Sequence, residues 1–421
     1  MTIKDKLQKI DKDHFQLLID IGDVAKKENL KAYLVGGMAR DLLLGFDNLD
    51  IDITVENNSL TLADALVKAF PNCKLSAKHD RFHTAKLIFN VNGKLIPVDL
   101  ASTREETYKH PAALPDVKVS ELKKDLIRRD FTINALAVSL LPDNFGEIVD
   151  LFGGLNDLKN KKIKILHDKS FIDDPTRIIR GVRFAKKLDF DIEEKTQNLL
   201  NEAINSEQFD NLIEKIRGDR VKIEIRYLFN LPDVEKTIKA FFDSGIYKMV
   251  STKLTPYPLS LTSYPFPRNN QWLIILALLL KDLENSIRQR IMNNLQLSGD
   301  EINTIEKAYL ASSNLESLIR EKKKIDSIVM YKELKNIPLE SILIVKQLLT
   351  SYPLPLIPLI DEYLNITSKI QLEVSGNDLK SLGFSEGKII GKIMQKILEK
   401  KITNPSMTKD EELKVAKEFK D

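Results

Sequence analysis

Asp50 and Asp52 stand two residues apart in LDIDITV, where they alternate with Leu49, Ile51 and Ile53. On an extended strand that alternation sends both carboxylates to one face and the apolar side chains to the other. Carboxylates that close repel each other unless a cation lies between them. Taken alone, such a pair is more often the solvated face of an amphipathic strand than a metal site. Asp99 shifts that balance, because it ends a second apolar run, KLIPVDL, and can converge on the same sheet face. Three carboxylates could hold two Mg²⁺ ions for phosphoryl transfer. One ion would lower the pKa of an attacking hydroxyl, and both would stabilise charge on an α-phosphate and a departing pyrophosphate.

Three further groups could serve that chemistry. Gly36 and Gly37 follow the strand-like KAYLV directly, so the backbone can approach an anion there, and a helix starting near Met38 would aim its N–H groups at a phosphate. In RRDFTINA, Arg128 and Arg129 can neutralise a triphosphate, while Asp130 and Asn134 are short enough to engage ribose hydroxyls. Read alone, that block is a helix start with an aspartate cap and surface arginines. In DDPTRIIRGVRF, a helix opened by Pro175 would place Asp174 and Arg177 on neighbouring turns, able to read the edge of a base. The bland reading of that pair is an i,i+3 ion pair worth a few tenths of a kcal/mol.

The elements that must position these groups divide the chain. KAYLVGG, LDIDITV, TAKLIFN, KLIPVDL and INALAVSL read as strands, and SLTLADALVKAF as a helix capped by Ser59. After Asp173 the pattern is helical, so the fold expected is α+β in the first part and all-α beyond. Proline-rich breaks at 255–270 and 351–363 suggest joints between helical parts. At 421 residues, with hydrophobic residues at 43%, two to four domains are expected. One cysteine, Cys73, excludes an intramolecular disulfide and a cysteine-based zinc site, and fits a small apolar role. QWLIILALLL, 271–280, is too short to span a bilayer and reads as a buried helix, so a cytoplasmic protein without membrane contact is expected. A net charge of +3 does not announce a nucleic-acid partner, so local clusters must. Lys388, Lys392, Lys396 and Lys400 recur every four residues and form one basic stripe on a helix, fit either for tracking phosphates or for simple solvation. REKKKID, 320–326, reads as a solvated helix face, and His167-Asp168 as a lone pair in a linker.

Gly36, Gly37, Arg40, Asp41, Leu43, Leu44, Gly45, Asp50 and Asp52 together resemble the GGxxRDxLLGxxxxDxD signature of the class II tRNA nucleotidyltransferase and bacterial poly(A) polymerase superfamily, with Ala39 where valine is usual. The blocks from Arg128 and Asp173 resemble its RRDxxxNA and (E/D)DxxRxxRxxRF elements; DLFGGLNDL, RGDRVKIEI with Arg220 and Glu224, and SGNDLKSLGF extend the likeness. The resemblance implies a polymerase-β-like catalytic head at 1–166, a helical neck at 167–232, a helical body at 233–350 and a tRNA-binding tail at 351–421. It also implies addition of nucleotides from CTP and ATP to the acceptor end of tRNA, with Mg²⁺ on Asp50 and Asp52 and the triphosphate near Gly36 and Gly37. Asp130 would distinguish ribose from deoxyribose, Asp174 and Arg177 would select C and A, and Arg180 and Arg183 would support phosphate or packing. The polar segment 101–120, with Pro111 and Pro115, lacks apolar periodicity and is expected to be a mobile loop beside the site. In the family a loop here, matched by Arg104, Tyr108, Pro111, Leu114, Pro115 and Val117, accompanies the switch from C to A, which favours complete CCA synthesis over terminal A alone. The rivals are a bacterial poly(A) polymerase, which shares the head motifs, and an RNA-binding protein without catalysis. Oligomeric state is not legible.

Overall fold

A computed structural model of the chain describes residues 3–46, 48–107, 115–206, 216, 218–256, 270–350, 352 and 356–419. The chain forms two compact units, 1–252 and 253–421. Among the described residues of the first, seven strands make one sheet in the order β3-β4-β5-β2-β1-β8-β9. Here β1 is Ala32–Val35, β2 Ile51–Val55, β3 Cys73–His79, β4 Thr84–Val91 and β5 Lys94–Ser102. β6 is Arg104–Thr107, β7 Asp116–Val119, β8 Leu136–Ser139 and β9 Ile148–Asp150. β2 and β5 are parallel neighbours, and their register sets Asp52 directly beside Asp99.

One sheet face is the core. Ile53, Val55, Leu87, Phe89, Val98 and Leu100 pack against Leu17, Leu18 and Ile21 of the helix Lys12–Lys27 and Leu62, Ala63 and Leu66 of the helix Ser59–Ala69. Each such fully buried side chain contributes about 1.5–3 kcal/mol before entropy is counted. The long helix sits so close that a Cβ on Gly22 would lie 1.8 Å from the Leu140 carbonyl oxygen, so glycine is required there. On the other face, Tyr33, Val35, Ala135 and Ala137 pack under Leu122 and Leu126, leaving the adjoining surface of β2, β5 and β4 uncovered by that cluster.

The structure differs from the sequence-based expectations at several points. The segment 101–120 is not a plain loop: β6 and β7 pair as an antiparallel ribbon, with 108–114, and hence Tyr108, Pro111 and Leu114, outside the described residues. This ribbon is held by charge rather than apolar alternation, with Glu105 opposite Lys118 across the strands and Lys124 on the Glu105 carboxylate at 2.6 Å. The cap of the helix Ser59–Ala69 is Asn58; Ser59 is buried and donates to the His83 carbonyl. β3 and β9 were unforeseen, and strand pairing does not stop at Asp173, since Lys162–Ile163 pairs in parallel with Asp191–Ile192.

Every secondary-structure element among the described residues of the second unit is a helix. Gln271–Leu280 is buried along its whole length, as its composition requires. Pro338 separates the helices Ser327–Leu334 and Leu339–Leu348, whereas Leu356–Asn365 forms a helix that tolerates Pro358 in its first turn. Residues 321–326 link two helices instead of forming a helix face. The helix Lys388–Thr403 buries Ile393 and Ile397 and leaves Lys388, Lys392, Lys396 and Lys400 exposed as a stripe. Cys73 is buried, which pushes its thiol up to about 11. Among the described residues no helix is long and apolar enough to cross a membrane.

Candidate active site

β1 runs straight into the helix Gly36–Leu44 through Gly36 at φ +73°, a conformation that L side chains rarely adopt. A Cβ at Gly36 would lie 3.3 Å from the Asp52 Oδ2, so the bare backbone leaves room beside the carboxylate. Arg40, 3% exposed, does not project as a free cation: it donates to Asp41 at 2.7 Å and to the Asn134 Oδ1 at 2.6 Å. Asn48 completes the lock by donating to Asp41 at 2.8 Å.

Asp52 and Asp99 lie side by side across β2 and β5, with Lys86 of β4 on Asp99 at 3.2 Å. Removal from water, then the Asp99 charge, raises the Asp52 pKa, and the Arg129 guanidinium offsets part of that rise. Asp50 stands exposed just before β2, its N–H donating to the Asn48 Oδ1. Among the described residues no three His, Cys, Asp or Glu side chains already gather as a metal site, although the charges of both Asp99 and Asp50 bear on Asp52. Lys86 shares Asp99. The pair still fits a divalent cation of the magnesium type, which takes one or two carboxylates and completes its shell with substrate phosphates and water.

Asp125 organises the arginines. This carboxylate is fully buried, accepts from Arg128 at 2.7 Å and from Arg129 at 3.0 Å, and those two charges, working against burial, hold its pKa below the ordinary range. Arg128 reaches on to Glu106 of β6 at 2.9 Å, and the Arg104 guanidinium lies 3.3 Å from the same carboxylate. The spacing DLIRR, i to i+3 and i+4 on one helix turn, was the sequence signal for Asp125.

A large hollow of about 820 Å³ opens beside these groups, lined by Gly36, Gly37, Asp52, Arg128, Arg129, Asp130 and Asn134, and on its other side by Asp174, Arg177, Arg180, Arg183, Arg220 and Tyr227. Pro115, at the foot of β7, lines it as well. Asp130 is 6% exposed and takes two hydrogen bonds from Arg180, at 2.6 and 2.8 Å, and one from Asn134 at 2.9 Å. Burial alone would raise its pKa; the Arg180 charge and these bonds hold it low. Arg180 also donates to Glu224 at 2.9 Å, and Glu224 takes a bond from Arg183 at 3.1 Å. The Phe184 ring carries Arg40 at 4.9 Å and Arg183 at 4.4 Å and meets Phe131 edge-on at 6.0 Å.

Asp174 and Arg177 differ from the expected arrangement. The helix runs Thr176–Leu188, and Asp174 precedes it, accepting from the Thr176 N–H at 3.1 Å and from Arg220 at 2.6 Å. An aspartate here satisfies an N–H the helix start leaves open. Arg177 is 5% exposed and lies 4.0 Å from Asp174, too far for a hydrogen bond; Ser170 and the Arg128 carbonyl hold it at 2.8 and 2.6 Å. Both still face the hollow. The stripe Lys388, Lys392 and Lys396 belongs to the second unit.

Residues 32–164 match the model of the poly(A) polymerase head domain, and 266–415 that of tRNA nucleotidyltransferase domain 2. The A-adding tRNA nucleotidyltransferase of Geobacter sulfurreducens is 30% identical over 95% of this chain and 46% of its own length. The CCA-adding enzyme of Streptococcus mutans is 30% identical over 91% of this chain and 92% of its own. The chain thus spans about half the length of the A-adding relatives it matches first. The solved Thermotoga maritima CCA-adding enzyme complexed with tRNA superposes with a TM-score of 0.77 at 30% identity, covering 100% of this chain and 99% of that one. With a head sheet that sets paired aspartates beside an arginine-walled hollow, and full-length likeness to CCA-adding enzymes, the chain belongs to the tRNA nucleotidyltransferase family.

Proposed function

We propose that this chain adds nucleotides from CTP and ATP to the 3′ end of tRNA, without a nucleic-acid template, and completes CCA. The observation that carries the reading is that Asp52, whose strand neighbour is Asp99, lines the large hollow together with Asp174 and Arg177. A triphosphate lying across it would meet Gly36, Gly37, Arg128 and Arg129 at one end and a base-reading pair at the other. In the reaction the 3′-oxygen of the tRNA forms a bond to the α-phosphorus, the bond to the bridging oxygen breaks, and pyrophosphate leaves with that electron pair. Mg²⁺ held by Asp52 with Asp50 or Asp99 would supply acidification of the attacking hydroxyl and charge stabilisation on the phosphates. The chain's own part is to orient: Arg129, which Asp125 holds in place, faces the α-phosphate, and Asp130 and Asn134 meet the ribose.

Asp174 and Arg177 are assigned to choosing C and A, with Arg220 and Ser170 fixing them. Arg180 and Arg183, tied to Asp130 and Glu224, support that wall. The division into head 1–166, neck 167–232, body 233–350 and tail 351–421 is proposed with it, and Lys388, Lys392 and Lys396 are assigned to RNA phosphates. Relatives that add only the terminal A give a second reading, since they share long stretches with this chain. Incubation of two substrates with CTP and ATP together, tRNA lacking its 3′ CCA and tRNA ending in CC, tests both. Lengthening of the first by CCA supports the first reading, extension only of the tRNA ending in CC supports the second, and no change in either RNA refutes both.

A further inference from the structure

A second, smaller hollow of about 430 Å³ lies beside Asp52 and shares Asp52, Arg128 and Arg129 with the large one. The strand register explains its shape. Asp52 of β2 faces Asp99 of β5, which faces Lys86 of β4, so these three cross the sheet as one row. Two residues along each strand, on the same face, a second row runs Thr54, Ala101, Thr84, His79. Small side chains in that row leave a depression next to the acidic pair. Thr54 is 2% exposed, lines the depression, and its Oγ1 finds no hydrogen-bond partner, unlike the great majority of buried hydroxyls.

We infer that this hollow seats the terminal nucleotide of the acceptor RNA and that Thr54 positions its ribose. The inference rests on the nucleotide-transfer reading above. Transfer needs two substrates to meet at one carboxylate pair from different sides. The large hollow holds the groups suited to a triphosphate and a base, which leaves the smaller one for the nucleophile. Its volume lies within the range of roughly 300–1,000 Å³ usual for small-ligand sites. An RNA end carries a 2′-hydroxyl, both donor and acceptor, beside the reacting 3′-hydroxyl. A ribose with its 3′-oxygen at the acidic row spans toward the second row, roughly 7 Å away along the strand, and offers the Thr54 hydroxyl its missing partner. Thr84 and His79 edge the same row and suit the sugar-phosphate that follows.

Steady-state extension of truncated tRNA by wild type, Thr54→Val and Thr54→Ser tests this. Thr54→Val keeps the shape and removes the hydroxyl; it is expected to raise the KM for tRNA about fivefold, the worth of one neutral hydrogen bond, with the KM for CTP and ATP unchanged. Thr54→Ser should restore the wild-type value. An acceptor ending in 2′-deoxyribose should lose a similar factor with wild type and nothing further with Thr54→Val. An unchanged tRNA KM in Thr54→Val, an equal rise in the triphosphate KM, or a further loss on combining variant and deoxy acceptor would overturn the assignment. The deoxy acceptor on wild-type protein remains decisive even if the valine variant fails to fold, because an undiminished rate also overturns the assignment. Wild type that extends no truncated tRNA defeats the functional reading and this assignment together, whereas an active wild type with an indifferent Thr54→Val defeats this assignment alone.

Discussion

Replacing Arg180 by Met removes the charge that joins the two walls of the large hollow while keeping much of the side chain's bulk. Asp130, 6% exposed, then keeps Asn134 and the Phe131 N–H but loses two charged hydrogen bonds, and Glu224, 7% exposed, keeps Arg183. Breaking a buried pair by removing one partner costs about 3–5 kcal/mol. A ceiling comes from protonation: a carboxyl of ordinary pKa near 3.9 can take up a proton at pH 7 for about 4 kcal/mol, at 1.36 kcal/mol per unit. A loss of roughly 3–4 kcal/mol is therefore expected, or a Tm lower by about 6–16 °C for a unit of this size. The pH dependence has a definite sign. In the wild type the depressed Asp130 pKa stabilises the fold above its unfolded value, and that stability is lost as pH falls through the folded value. In the variant the buried carboxyl titrates high, so stability falls as pH rises, and the gap to wild type is smaller at pH 5 than at pH 7. Adding Asp130→Asn to Arg180→Met should recover part of the loss. Thermal melts of wild type, both single variants and the double variant at both pH values decide it. A loss under about 1 kcal/mol, or a double variant no more stable than Arg180→Met, would refute the claim that this pair is held by charge compensation.

Three other outcomes are expected. Arg177→Ala should relax discrimination among the four nucleoside triphosphates by about 1–3 kcal/mol in relative kcat/KM; because Ser170 and the Arg128 carbonyl lose a partner, its Tm should fall as well. Changing Lys388, Lys392 and Lys396 to Glu should weaken tRNA binding and reduce the slope of log K against log salt by up to about 3, at about 0.9 per phosphate contact, and an unchanged slope would leave them as a solvated face. Chelation of divalent ions should abolish incorporation and leave the circular dichroism spectrum unchanged, with Mg²⁺ restoring activity, whereas unfolding on chelation would point to a structural metal instead.

The strands that carry the chemistry were legible because they are apolar and periodic: β1, β2, β4, β5 and β8 all coincide with runs read from alternation. The placement of Asp52 beside Asp99 was foreseeable as convergence on one face, but its register was not, since it depends on β2 and β5 being parallel neighbours although Asp52 and Asp99 lie far apart in the chain. β6 and β7 were missed because their strand character comes from cross-strand charges. The place of Asp174, just ahead of the helix and not on it, was blurred because helix boundaries are the least certain feature of a sequence. Asp125 was legible in principle from the DLIRR spacing, whereas Lys86 and Thr54 gave no motif-level signal. Lys86 matters through a partner on another strand, Asp99, and Thr54 through the absence of a partner.

The central claim, that the acid pair between the two hollows is where transfer occurs, is tested most directly by Asp52→Asn. Single-turnover incorporation of labelled nucleotide into truncated tRNA should fall by at least about a thousandfold, about 4 kcal/mol at 1.4 kcal/mol per decade, while the tRNA Kd stays within about twofold. The melting temperature at neutral pH should be no lower than wild type, because the substitution removes a charge that burial, and then the neighbouring Asp99 charge, disfavours. Substantial incorporation by the folded variant would contradict the account.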